Sequence, residues 1–231
     1  MFSKVFSVFV LGASILSVSA VPAAVPASPC AAVHIIAARA STEAPGAGII
    51  GALVTQVQTQ SKQTVSTVAV DYPATLTNYA SSSAQGTQAT ITLLTNQAQA
   101  CPSQKIVLVG YSQGAHIIGD AVAGGGGVAG LGAATPPVPA SISNRVNAII
   151  QMGDPRHIPG QSFDRGTAVL PGLFPRQANQ QYSATLQPRI LSFCDFNDPF
   201  CASGVDVNVH LTYLDRDQNT AAQFILQQIG G

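Results

Sequence analysis

The chain has 231 residues, the size of one α/β domain. Hydrophobic residues make up 46% of it and charged residues 9%, a composition that builds a core and excludes global disorder. Ten Lys and Arg balance ten Asp and Glu, so no excess positive charge is offered to nucleic acid or to anionic lipid. We therefore expect no nucleic-acid partner and no stable association with a membrane.

The first residues have the pattern of a secretory signal peptide. Lys4 supplies the positive charge, residues 5–18 are apolar but too short to span a bilayer stably, and Val18-Ser19-Ala20 has the small residues of a cleavage site. We predict a signal peptide over residues 1–20, a Pro/Ala-rich tether over residues 21–29 and one domain over residues 30–231. The protein is therefore expected to be secreted.

Five short apolar runs predict the strands of a parallel sheet. Because they are almost continuously apolar rather than alternating, they indicate strands buried on both faces. The predicted strands cover residues 32–38, 65–72, 105–110, 146–153 and 189–193. Helical spacing of apolar residues between and after them predicts helices over residues 49–60, 84–100, 113–122 and 218–229. This alternation predicts a single α/β sandwich with helices on both faces and the strand order 2-1-3-4-5.

Two stretches are predicted to be irregular. Residues 124–140 are too rich in Gly and Pro for a regular element. Residues 156–187 are long for a connection, and long loops in compact domains are often functional.

The segment Gly110-Tyr111-Ser112-Gln113-Gly114 is a G-x-S-x-G motif. A predicted strand precedes it and a predicted helix follows it, which is the context of a nucleophile elbow. This turn lifts the serine hydroxyl out of the sheet, so Ser112 is the candidate nucleophile.

A serine hydroxyl needs a base within hydrogen-bond reach, and the sequence has four histidines. His34 lies inside the first predicted strand, His116 one helical turn after Ser112, and His157 at a possible rim after the fourth strand. His210 alone follows both the serine and a nearby acid, which is the order of α/β hydrolases. We therefore predict that His210 is the base.

Several carboxylates are candidates for the acid that orients this histidine. Asp198 lies between Cys194 and Cys201, and a bridge between these cysteines would hold its loop in place; Asp195 is the second choice. Asp206 also precedes His210. Asp154, in a Gly-Asp-Pro sequence, fits a turn in which the side chain bonds its own backbone.

Ester hydrolysis also needs donors for the tetrahedral oxyanion. The backbone N–H of Gln113 is one candidate, because it follows the nucleophile. The other is Ser41, in the loop after the first strand, through its N–H and its hydroxyl. The alternative is that Ser41 only caps a helix, with Glu43 in support.

The four cysteines, Cys30, Cys101, Cys194 and Cys201, fit an oxidising compartment and allow three pairings. They lack the close spacing of a structural zinc site, so we expect no metal.

These residues together resemble the cutinase and acetylxylan esterase family of small fungal secreted esterases. The resemblance runs from Cys30 onward and is carried by R-A-S-T-E at 39–43, C-P-S-Q-K-I-V-L-V-G-Y-S-Q-G at 101–114, M-G-D-P at 152–155, C-D-F-N-D-P-F-C at 194–201, and His210. It implies an α/β-hydrolase sandwich without a lid, no cofactor and a Ser112–Asp198–His210 triad. It also implies an oxyanion role for Ser41 and the disulfides Cys30–Cys101 and Cys194–Cys201.

The resemblance favours an acetylxylan esterase acting on acetylated plant polysaccharide, and a cutinase acting on cutin polyester is the alternative. Apolar residues at 169–174 and at 205–211 either form a rim for acyl chains or pack against the body of the protein. A host-recognised secreted protein without catalysis is a third possibility, which an intact triad disfavours. A monomer is expected.

Overall fold

A computed structural model describes residues 30–230, together with Met1 and Phe2. The rest of the predicted signal peptide (1–20) and all of the predicted tether (21–29) lie outside the described residues, as does Gly231. None of the described helices is long and apolar enough to cross a membrane.

The centre of the described structure is a parallel sheet of six strands, and every neighbouring pair runs in the same direction. The strands are β1 (Val33–Ala38), β2 (Val65–Ala69), β3 (Lys105–Tyr111), β4 (Val146–Met152), β5 (Asp164–Arg165) and β6 (Ile190–Phe193). They lie in the order β2-β1-β3-β4-β6-β5. The order predicted for the five apolar strands is confirmed.

The predicted number of strands, five, is wrong by one. The additional strand, β5, has two residues and lies in the long connection, where it pairs with Ser192 and Phe193 of β6. Both of its residues are charged and the strand forms the edge of the sheet, so it has no apolar run that sequence reading can detect.

Helices cover both faces of the sheet. They are α1 (Gly51–Gln60), α2 (Tyr79–Ala100), α3 (Gln113–Ala123), α4 (Ala140–Ser143), α5 (Val207–Leu211) and α6 (Tyr213–Gln228). Both α2 and α6 begin five residues before their predicted starts at 84 and 218. Their first turns are rich in Ser and in charged residues, which hides the helical spacing of apolar side chains.

Two apolar cores lie on opposite faces of the sheet. Ile35, Val107 and Ile150 face one core, which contains residues of α1 and α6. Ile36, Leu108 and Ile149 face the other, with residues of α2 and α3; the two sets alternate along each strand. Burial on both faces explains why the strands appear in the sequence as continuous apolar runs.

Two disulfides tie loops to this framework. Cys30, before β1, is bonded to Cys101, after α2, with a Cα–Cα distance of 5.9 Å. Cys194, after β6, is bonded to Cys201, also with a Cα–Cα distance of 5.9 Å. These are the two pairings that the family resemblance implies.

Candidate active site

Ser112 lies on the tight turn between β3 and α3, at the carboxyl edge of the sheet. Its backbone angles, φ 54° and ψ −118°, are rarely adopted by a residue with a side chain. Its N–H donates to the carbonyl of Met152 at the end of β4, at 2.7 Å. The strand–turn–helix context predicted for the nucleophile elbow is therefore present, with the strain that such a turn carries.

The two glycines of the motif allow the helix to pass close to the sheet. A Cβ on Gly110 would overlap the backbone of Gly114, and a Cβ on Gly114 would overlap the carbonyl of Ala38 in β1. Neither overlap can be relieved by moving a side chain, because the atoms concerned belong to the backbone. The spacing of glycine, serine and glycine is thus a steric requirement of this turn.

His210 and Asp198 meet at the same edge of the sheet. His210 lies in α5, and its Nδ1 is 2.8 Å from Oδ2 of Asp198, which lies in the loop between the cysteines of the short disulfide. The other carboxylate oxygen, Oδ1, accepts the backbone N–H groups of Phe200 at 2.7 Å and Cys201 at 3.1 Å. The Asp198 carboxylate has no exposed surface, and these donors replace the lost water.

The hydrogen bonds keep Asp198 ionised. Burial opposes ionisation, but the hydrogen bond and the charge of His210, with the two backbone N–H groups, outweigh it, so the pKa of Asp198 is lowered. A buried, ionised carboxylate on Nδ1 leaves the other ring nitrogen of His210 to act as a base.

The imidazole of His210 is held between two neighbours. The ring of Phe200 lies on one side, with a centroid separation of 4.4 Å and an interplanar angle of 52°. Gly153, after β4, has φ 65°, and a Cβ added there would lie 2.6 Å from Cε1 of His210. Sequence reading did not single out Gly153 as part of the site, although it belongs to the M-G-D-P motif.

The other candidate acids have different partners. Asp195 accepts the backbone N–H of Thr167 and forms an ion pair with Arg216 at 2.8 Å. Asp206 caps α5 by accepting the N–H of Asn208 at 2.9 Å. Asp154 accepts the N–H of Arg156, two residues ahead, which is the turn predicted for it.

The remaining histidines are buried. His34 lies in β1 and bonds Ser66 Oγ at 2.8 Å, and His116 bonds Asp120 Oδ2 at 3.0 Å. The interpretation of His157 as a possible rim residue is wrong, because its side chain is buried and lies 3.8 Å from Asp164. The long connection folds over this position, which sequence reading treated as open.

The two residues proposed for the oxyanion site are brought together. Oγ of Ser41 donates to Oε1 of Gln113 at 2.7 Å, and Nε2 of Gln113 donates to Ser83 at 3.0 Å. The alternative role of Ser41 as a helix cap is wrong, since the next helical turn begins at Gly48 with Ala47 at its cap position. Ser41 instead lies in the turn after β1, beside the residue that follows Ser112.

Glu43 holds this turn in shape. Its Oε2 accepts the N–H of Ala40 at 2.6 Å, and its Oε1 accepts the N–H of Ile49 at 2.8 Å. Gly48 has φ 61°, and a Cβ there would overlap the Glu43 carboxylate. Arg39 binds the carbonyl of Glu43 through Nε at 3.0 Å. The sequence suggested Glu43 only as support for a helix cap, so its part in the loop was missed.

Ser41, Ser112 and His210 line one cleft of about 500 Å³. Most of its wall is apolar, formed by residues that include Leu76, Tyr79, Leu173, Phe174, Phe200, Val207 and Leu211. Val169, Leu170 and Val205 are also exposed. Both apolar stretches noted in the sequence, at 169–174 and 205–211, therefore contribute residues to this wall. Within the described part of the chain, no group of three or more His, Cys, Asp or Glu side chains is placed to hold a metal ion.

A parallel sheet with helices on both faces, and a serine on the turn between its third strand and the following helix, defines an α/β hydrolase. Residues 29–229 match the family model described as Cutinase. The chain therefore belongs to the cutinase family, whose members are carboxylic ester hydrolases.

Individual relatives show how close this similarity is. The chain is 33% identical to acetylxylan esterase 2 of Talaromyces purpureogenus, over the full length of both chains. It is also 33% identical to cutinase 11 of Verticillium dahliae, over 80% of this chain and 64% of that one. Among solved structures, the catalytic core domain of acetyl xylan esterase from Trichoderma reesei superposes with a TM-score of 0.80 at 34% identity, covering 87% of this chain and all of that one.

Proposed function

We propose that the chain hydrolyses carboxylic esters through an acyl-enzyme formed on Ser112, with His210 as the base and Asp198 as the orienting acid. The observation that carries this proposal is the 2.8 Å contact between His210 Nδ1 and the buried, ionised Asp198, at the wall of the cleft that also contains the strained Ser112. The chemistry follows from this arrangement.

In the first half of the reaction, His210 Nε2 takes the proton of Ser112 as its oxygen attacks the ester carbonyl. The tetrahedral intermediate collapses, its bond to the alcohol oxygen breaks, and the alcohol leaves with the proton from His210. In the second half, His210 deprotonates a water molecule, which attacks the acyl carbonyl. The bond to Ser112 Oγ then breaks, the acid is released, and His210 returns the proton to Ser112. Asp198 stays ionised throughout and stabilises the imidazolium form of His210.

The proposed oxyanion donors are the backbone N–H of Gln113 and, from Ser41, the backbone N–H and the hydroxyl. In the structure the hydroxyl of Ser41 donates to the Gln113 amide at 2.7 Å. We propose that this hydroxyl turns from the amide to the oxyanion when the intermediate forms. Developing charge on the substrate oxygen is a better acceptor than a neutral amide.

Acetylated xylan is the favoured substrate, because relatives that are 33% and 34% identical are named acetylxylan esterases. A cutinase acting on cutin polyester is the second candidate. It is favoured by the apolar wall of the cleft, which includes the exposed side chains of Leu76, Leu173 and Leu211. Such a surface suits chains longer than acetyl.

The nucleophile is tested with Ser112→Ala. We expect kcat on p-nitrophenyl acetate to fall by about 10⁴-fold or more, because the nucleophile is removed, while the circular dichroism spectrum is unchanged. Ser103→Ala is the control, because this serine is exposed and precedes the first residue of β3, whereas Ser112 follows the last. A pure Ser112→Ala preparation that kept its activity would contradict the assignment.

The substrate is tested by the acyl-chain profile of kcat/KM on p-nitrophenyl esters from acetate to long acyl chains, with Ser112→Ala as the blank. A sharp fall beyond acetate would support deacetylation of polysaccharide, to be followed by assay on acetylated xylan. Values of kcat/KM that are maintained or rise at butyrate and beyond would support a cutinase acting on cutin polyester.

We also propose that the protein is secreted after cleavage near Ala20 and acts as a monomer. Two disulfides support an oxidising destination. Expression in a fungal host tests both points: the mature N-terminus is read by mass spectrometry of the culture medium, and the mass by size-exclusion chromatography with light scattering. Retention of the protein inside the cells would contradict secretion.

A further inference from the structure

The hydroxyl of Tyr213 lies at the carboxylate of Asp198. Tyr213 is the first residue of α6, three positions after His210, and its side chain is completely buried. Its hydroxyl is 2.8 Å from Asp198 Oδ2, 2.9 Å from the backbone nitrogen of Asp195 and 3.3 Å from Sγ of Cys201. This side chain has no part in the proposed mechanism.

The direction of these hydrogen bonds follows from the hydrogens available. The backbone N–H of Asp195 can only donate, and the sulfur of Cys201 is in a disulfide and has no hydrogen. The single hydroxyl proton of Tyr213 therefore goes to the carboxylate, its strongest acceptor. Burial, with the negative charge of Asp198, raises the pKa of Tyr213, so the phenol keeps this proton over the working pH range.

Oδ2 of Asp198 is thus shared between two donors, Tyr213 and His210 Nδ1, each at 2.8 Å. The donors to Oδ1, the N–H groups of Phe200 and Cys201, belong to the same loop as Asp198. Tyr213 and His210 are the donors that come from outside that loop. Tyr213 therefore ties the oxygen that orients the histidine to the start of α6.

Other charged and titratable groups surround this contact, and each bears on its pH dependence. Asp195 is paired with Arg216, whose guanidinium lies 5.0 Å from the centre of the Tyr213 ring. The negative charge of Asp198 also acts on His157, which lies in the segment after β4. Tyr111, in β3, donates its hydroxyl to the carbonyl of His210.

We propose that Tyr213 is a positioning residue of the triad, which fixes Asp198 Oδ2 in line with His210 and takes up part of its negative charge. The inference rests on the proposed function, because it presumes that His210 is the base. Loss of the phenolic donor leaves more charge on Oδ2, and this favours the protonated, inactive form of His210.

The variant Tyr213→Phe removes the hydroxyl and keeps the ring. We expect kcat to fall about tenfold with KM unchanged, which corresponds to the lower end of the range for the loss of one hydrogen bond to a charged group. The acid limb of the pH profile of kcat/KM is expected to shift to higher pH by about half a unit. The downfield proton resonance of the His210–Asp198 hydrogen bond is expected to shift further downfield, a readout that needs no turnover.

Tyr182→Phe is the matched control. Tyr182 is also buried, and its hydroxyl bonds the neutral side chain of Gln151 at 2.9 Å. Its loss is expected to lower stability and leave the acid limb and the downfield resonance in place. Combining Tyr213→Phe with Asp198→Asn should add little further loss of kcat, since the shared carboxylate is then absent.

A second variant covers the case in which Tyr213→Phe fails to fold. 3-Fluorotyrosine at position 213 is a stronger donor with almost the same shape, and it should move the acid limb to lower pH. An unchanged limb and an unchanged resonance in either folded variant would overturn the inference and leave Tyr213 as a packing residue. Activity retained by Ser112→Ala would instead overturn the proposed function, so the two failures are distinguishable.

Discussion

Gly153 shows how one residue shapes the pocket of the candidate base. It follows β4 with φ 65°, a conformation that strongly favours glycine, and a Cβ there would lie 2.6 Å from Cε1 and 2.7 Å from Nδ1 of His210. The backbone turn and the contact with the imidazole therefore independently require that position 153 has no side chain.

Gly153→Ala is expected to displace the His210 ring and to lower kcat/KM by about 100-fold, because catalysis depends on sub-ångström placement of the base. Gly160→Ala is the control: Gly160 also has a positive φ, 88°, but a Cβ there meets no atom within 4 Å. Both variants should lose stability, measured as Tm, and only Gly153→Ala should lose activity. Wild-type kcat/KM in Gly153→Ala would show that the ring has room to move.

The identity of the acid is a second prediction at this scale. Asp198→Asn is expected to lower kcat by about 10³- to 10⁴-fold, because the amide favours the wrong tautomer of His210 and does not stabilise the imidazolium. Asp195→Asn should lose less than about tenfold, since that carboxylate is paired with Arg216 at 2.8 Å. The reverse ranking, measured as kcat at saturating p-nitrophenyl acetate, would assign the role to Asp195.

The loop closed by Cys194 and Cys201 is the element that presents Asp198, the proposed acid. It points two backbone N–H groups at Asp198, and Asn197 within it has φ 73°. Gly204, just after the loop, packs so closely on Asn197 that a Cβ would overlap its backbone. The disulfide, the backbone donors and this contact act together to fix one carboxylate, so the bridge has a positioning role.

The two disulfides are expected to differ in their effects on stability and on kcat. Replacing Cys30 and Cys101 by Ala should lower the free energy of unfolding by about 4 kcal/mol in the chain-entropy model, with little change in kcat. Replacing Cys194 and Cys201 by Ala should cost less stability and lower kcat more, because the bridge spans only 7 residues of sequence and holds Asp198. Chemical denaturation and kcat measure the two effects, and equal losses of kcat would contradict this division.

At the scale of the whole molecule, a buried ionic cluster joins the long connection to α3. Asp120, in α3, pairs with Arg156 at 3.2 Å and Arg176 at 2.8 Å, and it also bonds His116. Burial opposes ionisation of Asp120, but the positive charges around it hold its pKa at about 2. The connection of residues 156–187 is therefore part of the folded body, anchored behind the wall of the cleft.

The stability of the protein is expected to fall in two stages with acid. Burial lowers the pKa values of His34 and His157, so the unfolded chain binds protons first, and the free energy of unfolding should decline as the pH falls below about 6.5. A second decline is expected below about pH 4, where Asp120 and Asp198, with lowered pKa values, must be protonated. Burial raises the pKa of Asp164, so the folded chain binds this proton before the unfolded chain does, which adds stability as the pH falls towards about 4, between the two stages.

Urea denaturation at several pH values between 8 and 3 measures this profile. His157→Gln should flatten the first stage, since it removes one of the two groups that cause it. A free energy of unfolding that stayed constant between pH 7 and pH 5 would contradict the assignment of buried, neutral histidines.

The sequence by itself determined the elements whose signals are local. Continuous apolar runs predicted five of the six strands and their order, and the motif around Ser112 predicted a turn between a strand and a helix, which the structure contains. The roles of Ser112, Asp198 and His210 stay predictions, made from their order in the chain and the family resemblance. The apolar runs and the motif around Ser112 each extend over only a few consecutive residues, so they can be recognised without knowing how the chain folds.

The tertiary structure decided what depends on contacts between distant segments. It placed Tyr213 on Asp198, Gly153 against His210, and Glu43 across the loop that carries Ser41. It also buried His157 under a connection that sequence reading treated as open. Such contacts depend on the three-dimensional packing of side chains at the edge of the sheet, and neither composition nor hydrophobic periodicity records which distant residues will meet there.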